Sequence, residues 1–132
     1  HNLMCHLRAE KVAKIPVPDV EVQGCADDAD LLIVGFGGTY GHLYSAMEEM
    51  NKAGKKVALA HFAYLNPLPK NTEAVLKKYK KVVVAEQNLG QFAAYLRMKV
   101  DNFTPYQFNE VKGQPFVVAE LVAAFNEILE EK

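Results

Sequence analysis

The stretch DLLIVGFGGTYG, residues 30–41, decides the fold class. Leu31, Leu32, Ile33 and Val34 form an unbroken apolar run, the pattern of a strand covered on both faces. Gly35, Gly37, Gly38 and Gly41 follow at once and supply the backbone freedom for a tight turn into a helix. A buried parallel strand that feeds a turn and then a helix is the opening unit of an α/β fold.

Working outward, the helix predicted over residues 39–53 turns Tyr40, Leu43, Met47 and Met50 inward and Glu48, Glu49 and Lys52 to water, and Gly54 ends it. Upstream, Val20 and Val22 alternate with Glu21 and Gln23 as in a short, half-exposed edge strand. Downstream, strands are expected at 56–62, 81–86 and, with the weakest pattern, 107–111. A second helix begins near Asn71, a good N-cap, and buries Val75, Leu76 and Tyr79 above Lys77, Lys78, Lys80 and Lys81. That basic face reads as a solvated surface whose last-turn lysines suit the helix dipole. A third helix covers 89–100. The last follows Pro115 and carries Val118, Leu121, Val122, Phe125, Ile128 and Leu129 on one face, which should dock on the sheet. The alternation over 30–100 predicts a mainly parallel sheet with helices on both faces.

The chain has 132 residues, half of them apolar, which is enough for one domain with a real core. Fifteen basic against sixteen acidic residues give a net charge of −1 and no electrostatic case for nucleic acid or a membrane surface. No apolar run is long enough to span a bilayer or to form a signal-peptide core, so a cytoplasmic protein is expected. Cys5 and Cys25 alone make neither a zinc knuckle nor a cysteine-ligated cluster. Residues 1–18 read as a linker helix from a missing upstream domain and residues 19–132 as the domain itself. Leu3, Leu7 and Val12 would pack that helix either on the preceding domain or on this domain's own surface.

Partners of such sheets collect beyond the carboxyl ends of the strands. That edge carries Gly37, Gly38, Thr39 and Tyr40 after the first buried strand, His61, Tyr64 and Asn66 after the next, and Glu86, Asn88 and Gln91 after the third. The glycine spacing, G-x-G-x-x-x-G, differs from the dinucleotide fingerprint, no ribose-binding acid follows His61 and Phe62, and no Gly-Lys-Ser/Thr marks a P-loop. A tight turn with close packing is favoured; the alternative is a stand-alone nucleotide or coenzyme A binding module built on the 35–41 turn. His61 is either a general acid or base or a half-buried histidine. Glu86 either approaches an active site or accepts hydrogen bonds from loop amides around 88–90. His1, His6 and His42 lack metal-ligand spacing, and Ser45 lacks a nucleophile elbow. No catalytic, cofactor or metal set is complete.

Four ordered blocks carry a more specific signal: VGFGGTYG (34–41), AHFAYLNPLPKN (60–71), VVAEQNLGQ (83–91) and KGQPFVVAEL (112–121). Together they resemble the C-terminal region, domain II, of the alpha subunit of 2-oxoglutarate:ferredoxin oxidoreductases, within the 2-oxoacid:acceptor oxidoreductase family. The resemblance implies a transketolase C-terminal-like, three-layer α/β/α domain with a five-stranded mixed, mostly parallel sheet, residues 20–24 being its antiparallel member. It also implies a complete enzyme that oxidatively decarboxylates a 2-oxoacid to the acyl-coenzyme A and reduces ferredoxin, using thiamine diphosphate, magnesium and an iron–sulfur cluster. An upstream pyrimidine-binding domain, a beta subunit, ferredoxin, coenzyme A and an oligomeric complex are the implied partners. This chain has no Gly-Asp-Gly followed by Asn for the diphosphate and magnesium and lacks the cluster cysteines, so it is expected to hold no cofactor and to be inactive alone. Its edge residues, Tyr40, Tyr64, Asn66 and Asn88 among them, would then form a contact surface. Two positions depart from the family pattern: Gly38 replaces a serine, and Val117 replaces a threonine able to form a capping box with Glu120.

Overall fold

In chain order the elements are β1 (Val22–Gly24), β2 (Leu31–Phe36), α1 (Tyr40–Lys52), β3 (Val57–Phe62), α2 (Thr72–Lys78), β4 (Val82–Glu86), α3 (Gln91–Lys99), β5 (Tyr106–Asn109) and α4 (Val118–Glu130). They come from a computed structural model that describes residues 19–36, 39–62, 68–86, 91–109 and 116–131. The five strands form one sheet in the order β1-β3-β2-β4-β5. β2 runs parallel to both β3 and β4, and β4 parallel to β5. Only β1 is antiparallel, with Val22 opposite Ala60 of β3.

Because side chains alternate along a strand, the central apolar runs feed two separate cores. Leu32, Val34, Ala58, Ala60, Val82 and Val84 point to the side of α2 and α3, where they meet Leu76, Phe92 and Leu96. Leu31, Ile33, Val57, Leu59, Val83 and Ala85 point to the side of α1 and α4, where they meet Leu43, Met47, Leu121 and Phe125. These strands show no polar alternation because neither side reaches water.

Two glycines have definable reasons. Gly54 sits at φ +96° just past α1. Its N–H donates to Asn51 and that of Lys55 to Met50, the paired bonds of a Schellman ending. Gly35 lets α1 approach β2: a Cβ there would stand 2.3 Å from Leu43 Cδ1, a fully buried atom group with nowhere to go. Close packing, rather than ligand contact, accounts for that glycine.

Within the described residues the strands and helices predicted from the sequence are present, with shifted ends and three changes of role; the linker helix read over 1–18 lies outside them. Tyr40, assigned above to the buried face of the first helix, is 38% exposed. It occupies the first turn of α1, on the flank beside β1 rather than over the sheet. Asn71 stands at the N-cap position of α2 but makes no capping bond. Its side chain instead pairs with the backbone of Val20, accepting from the N–H at 2.9 Å and donating to the carbonyl at 3.0 Å. The edge strand is correspondingly shorter than expected, beginning at Val22, with Val20 held by an amide side chain in place of a ladder. Lys81, read as part of a solvated face, donates to the carbonyls of Ile128, Leu129 and Glu131 at the end of α4. The last helix docks on the sheet through Leu121, Phe125 and Ile128, and Val117 at its N-cap makes no side-chain bond.

Candidate functional site

β2 and β4 lie side by side while their outgoing connections depart in opposite directions, to β3 and to β5. Their carboxyl ends therefore flank the switch point, where open α/β sheets bind ligands. Of the ten edge residues singled out, Thr39, Tyr40, His61, Glu86 and Gln91 are described; Gly37, Gly38, Tyr64, Asn66 and Asn88 lie outside the described residues.

Glu86 ends β4 and is 2% exposed. One carboxylate oxygen accepts the N–H of Phe92 at 2.9 Å and the other that of Ala93 at 3.0 Å. Helix N-termini attract anions because their first amides lack partners and the helix dipole is positive there. In α3 the chain's own carboxylate fills that position. The loop amides around 88–90, the donors expected from the sequence, lie outside the described residues; the donors described are those of the first turn of the helix. Below this junction Phe92 contacts Phe36 and Phe62, with ring centroids 4.6 and 5.7 Å apart, so the ends of β2 and β3 meet α3 through an apolar plug.

A second group lies on the β1 side. The Tyr40 hydroxyl donates to Gln23 Oε1 at 2.8 Å, its ring meets the edge of His61 at 5.2 Å, and Tyr44 stacks on it at 5.7 Å. Hydrogen bonding to the Glu48 carboxylate holds the Tyr44 phenol above its ordinary pKa. Thr39 is buried and donates to the carbonyl of Phe36, while Gln91 is exposed. The structure thus brings Tyr40 together with His61, and Glu86 together with the helix that Gln91 begins. Gln23 was not singled out from the sequence, although strand alternation places it on the same side of the sheet as His61. Asn71 gave no signal beyond its capping preference.

Among the described residues, no cluster of three or more His, Cys, Asp or Glu could hold a metal ion. Among the described residues, the first amides of α3 are taken by Glu86, so that terminus offers no free amides to a diphosphate, and two cysteines do not suffice for a cysteine-ligated iron–sulfur cluster. No described helix is long and apolar enough to cross a membrane.

A mixed five-stranded sheet between two layers of helices is the architecture of the transketolase C-terminal-like class. The split-gene transketolase, an inactive beta4 tetramer, shares this fold with a TM-score of 0.61 at 18% identity, over 89% of this chain and 46% of that one. More particularly, the chain belongs to the pyruvate:ferredoxin oxidoreductase core domain II family, whose model matches residues 29–120. It is 45% identical over 123 residues to the 2-oxoglutarate oxidoreductase subunit KorA of Mycobacterium tuberculosis, covering 92% of this chain and 18% of that protein. Against the alpha subunit of 2-oxoacid:ferredoxin oxidoreductase 2 of Aeropyrum pernix it is 31% identical, covering 93% of this chain and 20% of that protein. The 2-oxoglutarate:ferredoxin oxidoreductase of Magnetococcus marinus, solved with 2-oxoglutarate, coenzyme A and succinyl-CoA bound, matches with a TM-score of 0.80 at 28% identity, over 87% of this chain and 20% of that one. The chain therefore spans about a fifth of the length of these oxidoreductase relatives. They favour the oxidoreductase reading over a stand-alone nucleotide or coenzyme A module.

Proposed function

We propose that this unit is a non-catalytic contact domain in the alpha subunit of a cytoplasmic, thiamine-diphosphate-dependent 2-oxoacid:ferredoxin oxidoreductase, with 2-oxoglutarate as the 2-oxoacid. The complete enzyme would convert the 2-oxoacid to the acyl-coenzyme A and pass the electrons to ferredoxin, with the cofactors held by other domains and by a beta subunit. The observation that carries this reading is the match of residues 29–120 to the core domain II family, and the Glu86 carboxylate at the first amides of α3 supports it by filling one helix terminus that could otherwise receive an anion. Among the described residues, the carboxyl edge offers Tyr40, His61 and Gln91, aromatic and amide groups that suit a protein contact. Likeness to KorA supports 2-oxoglutarate.

The test uses the full-length subunit assembled with its partner subunit. Gln91→Lys places a charge on the exposed edge without touching the core. It should lower 2-oxoglutarate-dependent ferredoxin reduction by about tenfold through weakened assembly while leaving the melting temperature of the subunit unchanged. Full activity with full assembly would contradict the contact role.

A further inference from the structure

Two pairs of tyrosines in this chain meet cations differently. Tyr79 has the ammonium of Lys78 5.6 Å from its ring centroid, and Tyr95 has that of Lys99 at 5.5 Å, so each ring faces a cation of its own segment. Among the described residues no cation stands over Tyr40 or Tyr44, whose rings stack on one another at 5.7 Å. Both of their hydroxyls are engaged within the domain, Tyr40 with Gln23 and Tyr44 with the Glu48 carboxylate. What the exposed Tyr40 has left to offer a partner is its ring.

Carboxylates bracket these rings. Val22 lies opposite Ala60, so the antiparallel register of β1 sets Glu21 beside His61, and alternation turns both, with Gln23, to the α1 side of the sheet. His61 in turn contacts Tyr40 at 5.2 Å. At the other end Glu48 stands one helical turn beyond Tyr44 on the same flank of α1. Asp27, Asp28 and Glu73 each pair with a lysine, whereas Glu21 and Glu48 are exposed and have no cationic partner among the described residues.

Stacked aromatic rings attract a cation through their quadrupole, and flanking carboxylates deepen that potential. A guanidinium suits the place better than an ammonium, because its plane can lie on a ring while its N–H groups reach a carboxylate. We propose that this ledge receives an arginine side chain of the partner subunit in the assembled enzyme. The proposal rests on the contact role of the carboxyl edge proposed above, and it adds the chemistry of one group that the edge meets.

The test measures the dissociation constant between the full-length subunit and its partner subunit at low and high salt. Tyr40→Phe keeps the ring and should bind within about twofold of the parent, whereas Tyr40→Leu should bind about tenfold more weakly. Glu21→Gln combined with Glu48→Gln leaves Tyr44 an acceptor and removes both charges; it should weaken binding about fivefold and flatten its salt dependence. Equal losses in Tyr40→Phe and Tyr40→Leu would assign the effect to the bond with Gln23 and overturn the proposal. Unchanged affinity and salt dependence in the double glutamine variant would overturn it too. If Gln91→Lys impairs assembly while none of these variants does, the arginine seat fails and the contact role of the edge stands.

Discussion

At the amino end of β4, Lys81 reaches the last carbonyls of α4; at its carboxyl end, Glu86 reaches the first amides of α3. Both obey the same electrostatics, a cation at a helix C-terminus and an anion at an N-terminus, and one strand thereby fastens a helix on each side of the sheet. They differ in solvent. Lys81 is half-buried, and water can take over when it is removed. Glu86 is buried among groups that water does not reach, and its partners would be left bare. The amino end is therefore a staple on a surface, whereas the carboxyl end couples the fold itself to the edge proposed to meet other domains.

Glu86→Ala should consequently have the largest effect, about 3 kcal/mol in urea unfolding, because two buried amides lose a charged acceptor. Glu86→Gln, which keeps one acceptor oxygen, should cost about half of that. Equal, small losses for both would show that water enters the junction and would erase the contrast between the two ends.

Lys81→Met retains the aliphatic stem and removes only the charge, so it should cost about 1 kcal/mol, with the loss shrinking in high salt. A salt-independent loss as large as that of Glu86→Ala would break the comparison from the other side.

Tyr79 sharpens it with a neutral group at the same amino end. Its hydroxyl donates to the carbonyl of Ala26 at 2.6 Å, and burial, helped by the charge of Asp27, pushes its pKa up. A raised phenol pKa in the folded state means that the stability it confers is complete below the unfolded value, about 10, and is lost as pH rises through the folded value. Tyr79→Phe should cost about 1 kcal/mol at neutral pH and flatten the alkaline decline of the urea midpoint. The raised Tyr44 and Tyr106 act in the same direction and remain in that variant. A decline as steep as that of the parent chain would assign the alkaline loss to those residues instead.

The smallest effect is expected at a helix end with no side-chain partner. Val117 is 47% exposed at the N-cap of α4 and makes no capping bond. Val117→Thr, with Glu120 in place to complete a capping box, should raise stability by about 0.5–1 kcal/mol. A loss would mean that the valine has a packing role that its exposure conceals.

The buried strands and the amphipathic helices were legible because periodicity reports burial directly. Leu31 to Val34 and Val82 to Ala85 have no polar alternation, and α4 repeats Leu121, Phe125 and Ile128 along one side. Contacts between distant parts of the chain left little trace. Nothing near Asn71 tells it to hold Val20, fifty-one residues earlier, instead of capping its own helix. Lys81 looked like one lysine among four because its three acceptors lie at the far end of the chain. Tyr40 fits the buried period of α1, yet first-turn residues lie near the rim of a sheet, where the period no longer implies cover. Glu86 was legible in kind, since a carboxylate at a strand end seeks amides, but its bonds to Phe92 and Ala93 needed the path of the chain.

Calorimetric titration of coenzyme A, and of thiamine diphosphate with magnesium, into the folded chain tests most directly whether this unit leaves ligand binding to other domains. With the α3 terminus held by Glu86, neither should release or absorb heat beyond dilution. Saturable binding near one equivalent with a micromolar dissociation constant would contradict that conclusion.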